Sequence, residues 1–263
     1  MEIIIQPDPE AAARLAAHII AKRLREKPDL VLGLATGNTM EKVYGMLAET
    51  HEKQNLSFAR CTTFNLDEYI GLPENDPNSY RTYMNTRLFD KVDIPIENTH
   101  MPNGNAADFR AESERYEQAI LAAGGIDLQL LGIGRDGHIG FNEPMSALRS
   151  RTREKALTPE TLLHNAGPFG APENVPRRAI TMGVGTILDS RRCLMLATGA
   201  GKAAIVAKAL EGPITAMVSA SALQLHPHCT VIVDEPAASK LQGKPYYRWI
   251  FEHEPEWKEF RVE

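Results

Sequence analysis

Short apolar runs alternate with longer amphipathic segments along this chain of 263 residues. The short runs end in turn residues and predict strands at 2–5, 30–34, 61–66, 127–131, 193–197 and 230–233. The longer segments repeat apolar residues at helical spacing and predict helices at 9–26, 40–50, 108–123, 202–211 and 219–225. Strands that alternate with helices predict an α/β, three-layer Rossmann-like fold with a mainly parallel central sheet and helices on both faces.

The same pattern continues without a linker, a low-complexity tract or an internal repeat. We therefore expect a single domain over residues 1–263. The least regular stretch, residues 158–178, is rich in Gly and Pro and has weak periodicity. It predicts a mobile lid, with a plain surface excursion as the alternative.

Composition is that of an ordinary globular protein, with 43% hydrophobic residues and 29 Lys+Arg against 34 Asp+Glu. The net charge of −5 argues against nucleic acid or an anionic membrane as a partner, so any anionic ligand must be bound locally. Cys61, Cys193 and Cys229 form no metal or disulfide motif, which indicates a reducing compartment. No signal-peptide pattern and no apolar run of about 18 residues is present, and we expect a cytoplasmic protein.

Ligands of open parallel sheets bind beyond the carboxyl ends of the strands, so the loops that follow the strands are the candidate site. The first such loop contains Thr36, Gly37, Asn38 and Thr39 and leads into a helix. Free backbone N–H groups at that position favour phosphate, although a plain helix cap would use the same residue types. The Walker pattern of ATP-hydrolysing loops is absent.

A second loop places the adjacent carboxylates Asp67 and Glu68 at the end of a predicted strand. Adjacent strand residues point to opposite sides, so only one of the two can face a cleft. That residue could act as a general base, and the alternative is a solvated turn.

The third loop concentrates Asp136, His138 and Glu143 within eight residues. Gly132, Gly134 and Gly137 of the same loop imitate a dinucleotide motif, but later Gly and Pro residues break the helix which that motif requires. Carboxylates beside an imidazole suit proton transfer near neutral pH. A zinc site is the weaker alternative, and we expect no metal.

A fourth loop ends at Lys202, where a helix begins, and adds a cation to a second set of backbone donors. The alternative is a solvated lysine. Between the third and fourth loops, the run Arg149–Lys155 alternates cations with other residues. It fits either a solvated strand face or a second anion pocket.

These loops, in this order, resemble the glucosamine-6-phosphate deaminase (isomerase) family. The resemblance covers nearly the whole chain and includes Leu32-Gly-Leu-Ala-Thr-Gly-Asn-Thr39, Thr63-Phe-Asn-Leu-Asp-Glu-Tyr-Ile-Gly-Leu-Pro73, Asp136-Gly-His-Ile-Gly-Phe-Asn-Glu-Pro144, Ser150-Arg-Thr-Arg153, Ile180-Thr-Met-Gly-Val-Gly-Thr186 and Leu223-Gln-Leu-His-Pro227. The Asp-Gly-His-x-x-x-Asn-Glu-Pro pattern is the most specific of them.

The resemblance implies conversion of glucosamine 6-phosphate and water to fructose 6-phosphate and ammonia, with no cofactor. It implies that Asp67 moves the proton at C2, and that Asp136, His138 and Glu143 open the sugar ring. It places the substrate phosphate on a set of five residues, namely Thr36, Gly37, Asn38, Thr39 and Lys202.

Two departures from the family pattern bear on the substrate. The family's lid carries an Arg that binds phosphate, but here the stretch is Asn165-Ala-Gly-Pro-Phe169. Arg177 or Arg178 could replace it, or Lys202 and the first loop could suffice, or the preferred sugar could differ. Asn38 also stands where Gly or Ser is common. Galactosamine 6-phosphate is therefore an alternative substrate.

Some hexameric members of the family bind an allosteric sugar phosphate at a subunit interface. Ser146, Arg153 and Lys155 match that pocket, whereas Ala156 stands where a Thr is usual. The resemblance thus implies a homo-oligomer and possible allosteric residues. Two further candidate functions are a lactone hydrolase related to 6-phosphogluconolactonase and a non-enzymatic sugar-phosphate sensor.

Overall fold

Seven parallel strands form the central sheet of the protein, in a computed structural model that describes residues 1–73 and 75–261. In that part of the chain the strands are β1 (Glu2–Gln6), β2 (Val31–Leu34), β3 (Thr62–Asn65), β4 (Asp67–Tyr69), β5 (Thr99–His100), β6 (Leu128–Leu131), β7 (Arg153–Ala156), β8 (Arg178–Thr181), β9 (Cys193–Ala197) and β10 (Cys229–Asp234). The α-helices there are α1 (Pro9–Glu26), α2 (Asn38–Gln54), α3 (Tyr80–Arg87), α4 (Phe109–Ala122), α5 (Pro159–His164), α6 (Ala166–Phe169), α7 (Val184–Leu188), α8 (Ala203–Leu210) and α9 (Lys244–His253).

The central sheet has the strand order β1-β10-β9-β6-β2-β3-β5. All of its neighbours pair in parallel, and every residue of β2, β6 and β9 is buried. Such strands are apolar on both faces because helices cover the sheet on both sides. The α/β fold with a mainly parallel central sheet is confirmed.

Four neighbouring strands of this sheet, β9, β6, β2 and β3, carry the four loops singled out in the sequence. Parallel strands end at the same edge, so these loops lie side by side although they span residues 35 to 202 of the chain. The fold therefore supplies one location for the candidate site.

A second, small sheet has the order β4-β8-β7 and is antiparallel. It pairs Asp67 with Thr181, and Thr181 with Arg153. The sequence pattern did not predict this sheet. Its strand β7 uses the second half of the basic run, so that half is part of a sheet.

Helix ends follow local capping. The carboxylate of Asp8 accepts a hydrogen bond of 2.8 Å from the amide of Ala11 at the start of α1, and Asp108 caps α4 in the same way. Residues 219–225 form a 3₁₀ helix. The segment 158–178 contains α5, α6 and a 3₁₀ turn at Pro172–Asn174. In the described part of the chain, no helix combines the length and hydrophobicity that a bilayer crossing requires.

Candidate active site

A cavity of about 680 Å³ opens at the carboxyl edge of the central sheet. Its walls combine the first loop with residues from the other three loops and from the segment 158–178. Seven residues singled out in the sequence line it, namely Thr36, Gly37, Asn38, Thr39, Asp67, His138 and Lys202. Asp136 and Glu143 reach the cavity through their contacts with His138.

His138 is held between two carboxylates and a glycine. Its Nδ1 atom lies 2.7 Å from Oδ1 of Asp136 and 3.4 Å from Oε2 of Glu143. Both distances are those of an ion pair once the imidazole is protonated, and neither contact has the geometry of a hydrogen bond. A Cβ atom at Gly134 would lie 2.4 Å from Nε2 of His138, so the imidazole packs directly on the backbone. The ring orientation is thereby fixed.

The two acids reverse the effect of burial on His138. Burial lowers the pKa of His138, but the contacts with Asp136 and Glu143 outweigh it and raise that pKa to about 9. For Asp136, burial acts upward and His138 acts more strongly downward, so its pKa falls to about 2. At neutral pH the cluster therefore consists of the His138 imidazolium and the Asp136 carboxylate. The imidazolium can donate a proton to a ligand.

Glu143 connects this cluster to the segment 158–178. Its Oε1 accepts a hydrogen bond of 3.0 Å from the amide of Thr158, and its Oε2 accepts one of 3.3 Å from the Thr158 hydroxyl. The same hydroxyl accepts a bond from the amide of Thr161 and caps α5. The first residue of the segment is thus bonded to a partner of His138.

Asp67 and Glu68 point to opposite sides of the strand end. Asp67 lines the cavity, whereas Glu68 accepts backbone hydrogen bonds of 2.8 Å from Tyr69, 2.9 Å from Tyr80 and 2.9 Å from Arg81. Burial, helped by the charge of Glu68, raises the pKa of Asp67 to about 7, and the nearby His138 opposes the rise. A carboxylate with a pKa near neutral is suited to accept and return a proton.

The first loop leaves the start of α2 open to an anion. Gly37 precedes the helix with a φ of 119° and no side chain caps the helix, so the loop does not form a plain side-chain cap. The amides of the first turn then face the cavity with the positive end of the helix dipole. Tyr83 donates a hydrogen bond of 2.8 Å to the carbonyl of Gly37 and holds the turn in place.

Lys202 reaches the same cavity from the other side of β6. Its Nζ donates a hydrogen bond of 2.6 Å to the carbonyl of Ile133. Burial and the charge of Arg135 lower the pKa of Lys202, while Asp136 opposes them. A partly buried ammonium whose hydrogen-bond partner is a neutral carbonyl is well placed to bind an anion.

Asp136, His138 and Glu143 also form a three-donor set whose ligand atoms lie within 4.8 Å of one another. A metal ion would need the imidazole to be deprotonated. Because the two acids raise the pKa of His138 to about 9, protonation competes strongly with a metal at neutral pH.

The residues matched to an allosteric pocket lie outside the cavity. Arg153 donates hydrogen bonds to Oδ1 of Asn142 at 2.9 Å and to the hydroxyl of Ser146 at 3.1 Å, while Lys155 pairs with Ala179 in the small sheet. The buried Asn142 precedes Glu143, so this group touches the loop of His138. Its regulatory role remains a prediction.

The suggested replacements for the lid arginine lie elsewhere. Arg177 and Arg178 are exposed and are not among the residues of the cavity wall, and Arg178 pairs with Glu154 on β7. Conversely, the sequence interpretation missed Thr158 and the aromatic wall of Tyr69, Tyr80 and Phe141. The Thr-Pro pair at 158–159 is a recognisable helix start that could have indicated the first of these.

Fold and site together define an α/β protein with a cavity beyond the strand ends, in which an uncapped helix start and a lysine lie near two separate acid–base groups. A sequence profile described as "Glucosamine-6-phosphate isomerases/6-phosphogluconolactonase" matches residues 8–232. The chain belongs to this family, as the sequence motifs indicate.

Similar proteins support the same assignment. A protein of Hahella chejuensis named glucosamine-6-phosphate deaminase is 54% identical over 250 residues, which are 95% of each chain. A Streptomyces coelicolor protein of the same name is 49% identical over 259 residues, covering 98% of this chain and 99% of its own. A solved structure described as a monomeric glucosamine-6-phosphate deaminase has a TM-score of 0.89 and 49% identity, over 91% of this chain and all of its own.

The fold extends to a second group of enzymes. The 6-phosphogluconolactonase of Trypanosoma cruzi has a TM-score of 0.74 at 20% identity, over 92% of this chain and 97% of its own. This likeness concerns the fold alone.

Proposed function

We propose that the protein is a glucosamine-6-phosphate deaminase, which converts glucosamine 6-phosphate and water to fructose 6-phosphate and ammonia. One observation carries the proposal: Asp67 and the His138 cluster are separate proton-transfer groups in a cavity that also contains an anion-binding end. A closed pyranose cannot enolise, so this reaction needs one group to open the ring and another to act at C2. A simple lactone hydrolysis has no such need.

The first step in the proposal is ring opening. The His138 imidazolium donates a proton to the ring oxygen as the bond between that oxygen and C1 breaks. The neutral imidazole that results accepts the proton of the C1 hydroxyl, which leaves the aldehyde and restores the imidazolium. Asp136 and Glu143 hold the imidazole in position and stabilise its charge. Thr36, Gly37, Asn38, Thr39 and Lys202 bind the phosphate and fix the sugar during this step.

The second step is isomerisation. The Asp67 carboxylate removes the proton from C2 while the aldehyde oxygen takes a proton from the His138 imidazolium, which gives an enolamine. Asp67 then returns its proton to C1 while the amino group gives up a proton to the imidazole. The product is an imine at C2, which water hydrolyses to the ketone fructose 6-phosphate and ammonia. Burial of Asp67 supports this role, because a carboxylate with a pKa of about 7 is a stronger base than an ordinary one.

An ammonia-release assay with the 6-phosphates of glucosamine, galactosamine and mannosamine tests the proposal. We expect glucosamine 6-phosphate to have the highest kcat/KM, and exchange of the C2 proton in deuterated water to accompany turnover. Hydrolysis of 6-phosphogluconolactone without C2 exchange would favour a lactone hydrolase. Binding of an amino sugar phosphate without ammonia release would favour a sensor.

Galactosamine 6-phosphate remains the second candidate substrate. The observation behind it is Gly167, which lines the cavity where the resemblance implies an arginine. Glucosamine and galactosamine differ only at C4, so their two kcat/KM values in the same assay distinguish them. Activity in the presence of a strong chelator, which we expect to be unchanged, tests the absence of a metal requirement.

Oligomeric state and location complete the proposal. The resemblance supports a homo-oligomer, whereas the solved relative with 49% identity is described as monomeric. Light scattering after size-exclusion chromatography distinguishes a monomer of 29.1 kDa from larger species. Three free, buried cysteines support a reducing, cytoplasmic compartment.

The segment 158–178 is proposed as a mobile lid of a single domain. The support is its position, because His164, Asn165, Gly167, Pro168 and Phe169 all line the cavity. Its contacts with Glu143 and Tyr69 would couple its position to the catalytic loop.

A further inference from the structure

Lys202, His164 and Arg135 are basic residues in or next to the wall of the cavity, and the resemblance gives a role to only one of them, Lys202. Lys202, just before α8, and His164, at the end of α5, both line the cavity. Arg135 is exposed and is not itself a residue of the cavity wall, but it directly follows Gly134, which lines the cavity. The neighbouring carboxylate of Asp136 contacts His138.

The loop that carries Arg135 is held rigidly. The amide of Gly134 donates a hydrogen bond of 2.8 Å to the carbonyl of His138, and Lys202 donates one of 2.6 Å to the carbonyl of Ile133. Arg135 therefore stands two residues from the backbone atom that Lys202 contacts. Its charge lowers the pKa of both His164 and Lys202, after the larger effect of burial in each case.

We propose that Arg135 binds the phosphate of the substrate together with Lys202, in place of an arginine in the lid. Lys202 bonds to the backbone two residues before Arg135, so the two like charges repel one another, and a phosphate dianion bound by both would remove the repulsion. The guanidinium is suited to this contact because its fork of N–H groups matches two phosphate oxygens. The proposal rests on the proposed function, since it concerns how that substrate is held.

The position that lacks the lid arginine is open. A Cβ atom at Gly167 would meet nothing within 4 Å, and the residue lines the cavity. A side chain introduced there would extend into the same space. Gly167 therefore offers a rescue experiment, in which the cation is returned from the lid.

The variant Arg135→Gln tests the proposal through substrate and phosphate binding. We expect KM for glucosamine 6-phosphate and the dissociation constant of inorganic phosphate, measured by calorimetry, each to rise by about 5- to 30-fold, with kcat nearly unchanged. The loss should shrink at high salt, because the contact is partly exposed. Arg60→Gln, at an exposed arginine just before β3 and so at the opposite edge of the central sheet, is the matched control and should change neither constant.

The double variant Arg135→Gln/Gly167→Arg should recover most of the lost phosphate affinity. Gly167→Ala in the same background controls for the added Cβ and should recover none. An unchanged phosphate affinity in Arg135→Gln, or an equal loss for glucosamine without its phosphate, would overturn the proposal. Because phosphate binding is measured without turnover, these outcomes are independent of whether the wild-type protein releases ammonia.

Discussion

Two side chains in the cavity have raised pKa values, about 7 for Asp67 and about 9 for His138. The pKa of Asp67 is raised because the residue is buried, and that of His138 because two acids surround it. Each is shifted away from its ordinary value in the direction that its proposed role requires. A base must be ionised and an acid protonated in the same pH range, and these shifts provide such a range.

We expect kcat/KM to have a bell-shaped pH profile. Activity should rise as the pH passes about 7, where Asp67 becomes ionised, and fall as it passes about 9, where His138 loses its proton. Initial rates of ammonia release between about pH 5 and pH 10 measure it. A kcat/KM that does not change between about pH 5 and about pH 8 would contradict the assignment of Asp67 as the base.

Replacing His138 should separate the two proposed steps. His138→Gln removes the acid that opens the ring, so turnover of the closed pyranose should fall by about 10²- to 10⁴-fold. An open-chain analogue should lose much less, since it enters after ring opening. Equal losses on both substrates would argue against a role in ring opening.

Asp67→Asn should abolish turnover and stabilise the fold. The pKa of Asp67 rises from 3.8 to about 7 on folding, so the buried charge costs stability increasingly as the pH rises from about 4 to about 7. Above that range, Asn should raise the free energy of unfolding by on the order of 2–4 kcal/mol, and below pH 4 the difference should vanish. Binding of fructose 6-phosphate should be largely retained.

Urea denaturation at about pH 5 and pH 8 measures the change in stability. Glu68→Gln is the matched control at the next position. Its carboxylate accepts three backbone hydrogen bonds in the fold, so its loss should destabilise the protein. A stabilising Glu68→Gln, or an Asp67→Asn that destabilises at pH 8, would contradict this account.

Single residues also set the limit of what the sequence predicts about the site. Asp67, His138 and Lys202 are recognisable because each follows a predicted strand, where ligands of parallel sheets bind. Arg135 is not recognisable in this way, since an exposed arginine in a Gly-rich loop is usually solvated. The proposed role of Arg135 depends on Lys202, which is distant in sequence and is affected by the charge of Arg135 only in the folded protein.

At the level of elements, Thr158 connects the segment 158–178 to the loop that contains His138 and Glu143. Thr158 caps α5 and donates two hydrogen bonds to Glu143. The position of this segment is therefore linked to the position of Glu143, which contacts His138. A small hydrophobic cluster provides a further attachment of this segment; it consists of Tyr69, Phe141, Leu157, Val175 and Ala179.

Thr158→Ala should loosen this link without unfolding the protein. We expect faster hydrogen exchange or proteolysis within 158–178, from loss of a cap worth about 1 kcal/mol, and a several-fold lower kcat/KM. Asp108→Ala removes a cap from α4, outside the cavity, and should leave kcat/KM unchanged. Unaltered exchange in Thr158→Ala would show that the segment is held by its hydrophobic contacts alone.

The elements differ in how well the sequence predicts them. Six strands of the central sheet are predictable because burial on both faces makes each a short apolar run with turn residues after it. β5 has only two residues and leaves no such pattern. β7 was only one of two interpretations of the basic run, because Arg153–Ala156 is polar and its pairing with β8 depends on contacts between distant parts of the chain.

At the level of the whole molecule, a net charge of −5 coexists with a cationic end of the cavity. The sequence predicts the first and suggests that any anion is bound locally. The sequence does not predict how few cations are needed to bind an anion, because the cations act together only where their loops meet at one edge of the sheet. The first loop and Lys202 come from opposite sides of β6 to do this.

The order of the central strands also determines which molecules can react. β6 carries the loop of His138 and lies between β2 and β9, which carry the two loops proposed to bind the phosphate. Neighbouring strands are spaced about 4.8 Å apart by their backbone hydrogen bonds, whatever their side chains. The sheet therefore sets the distance between the proposed phosphate site and the loop of His138, and with it the length of sugar phosphate that the cavity accepts.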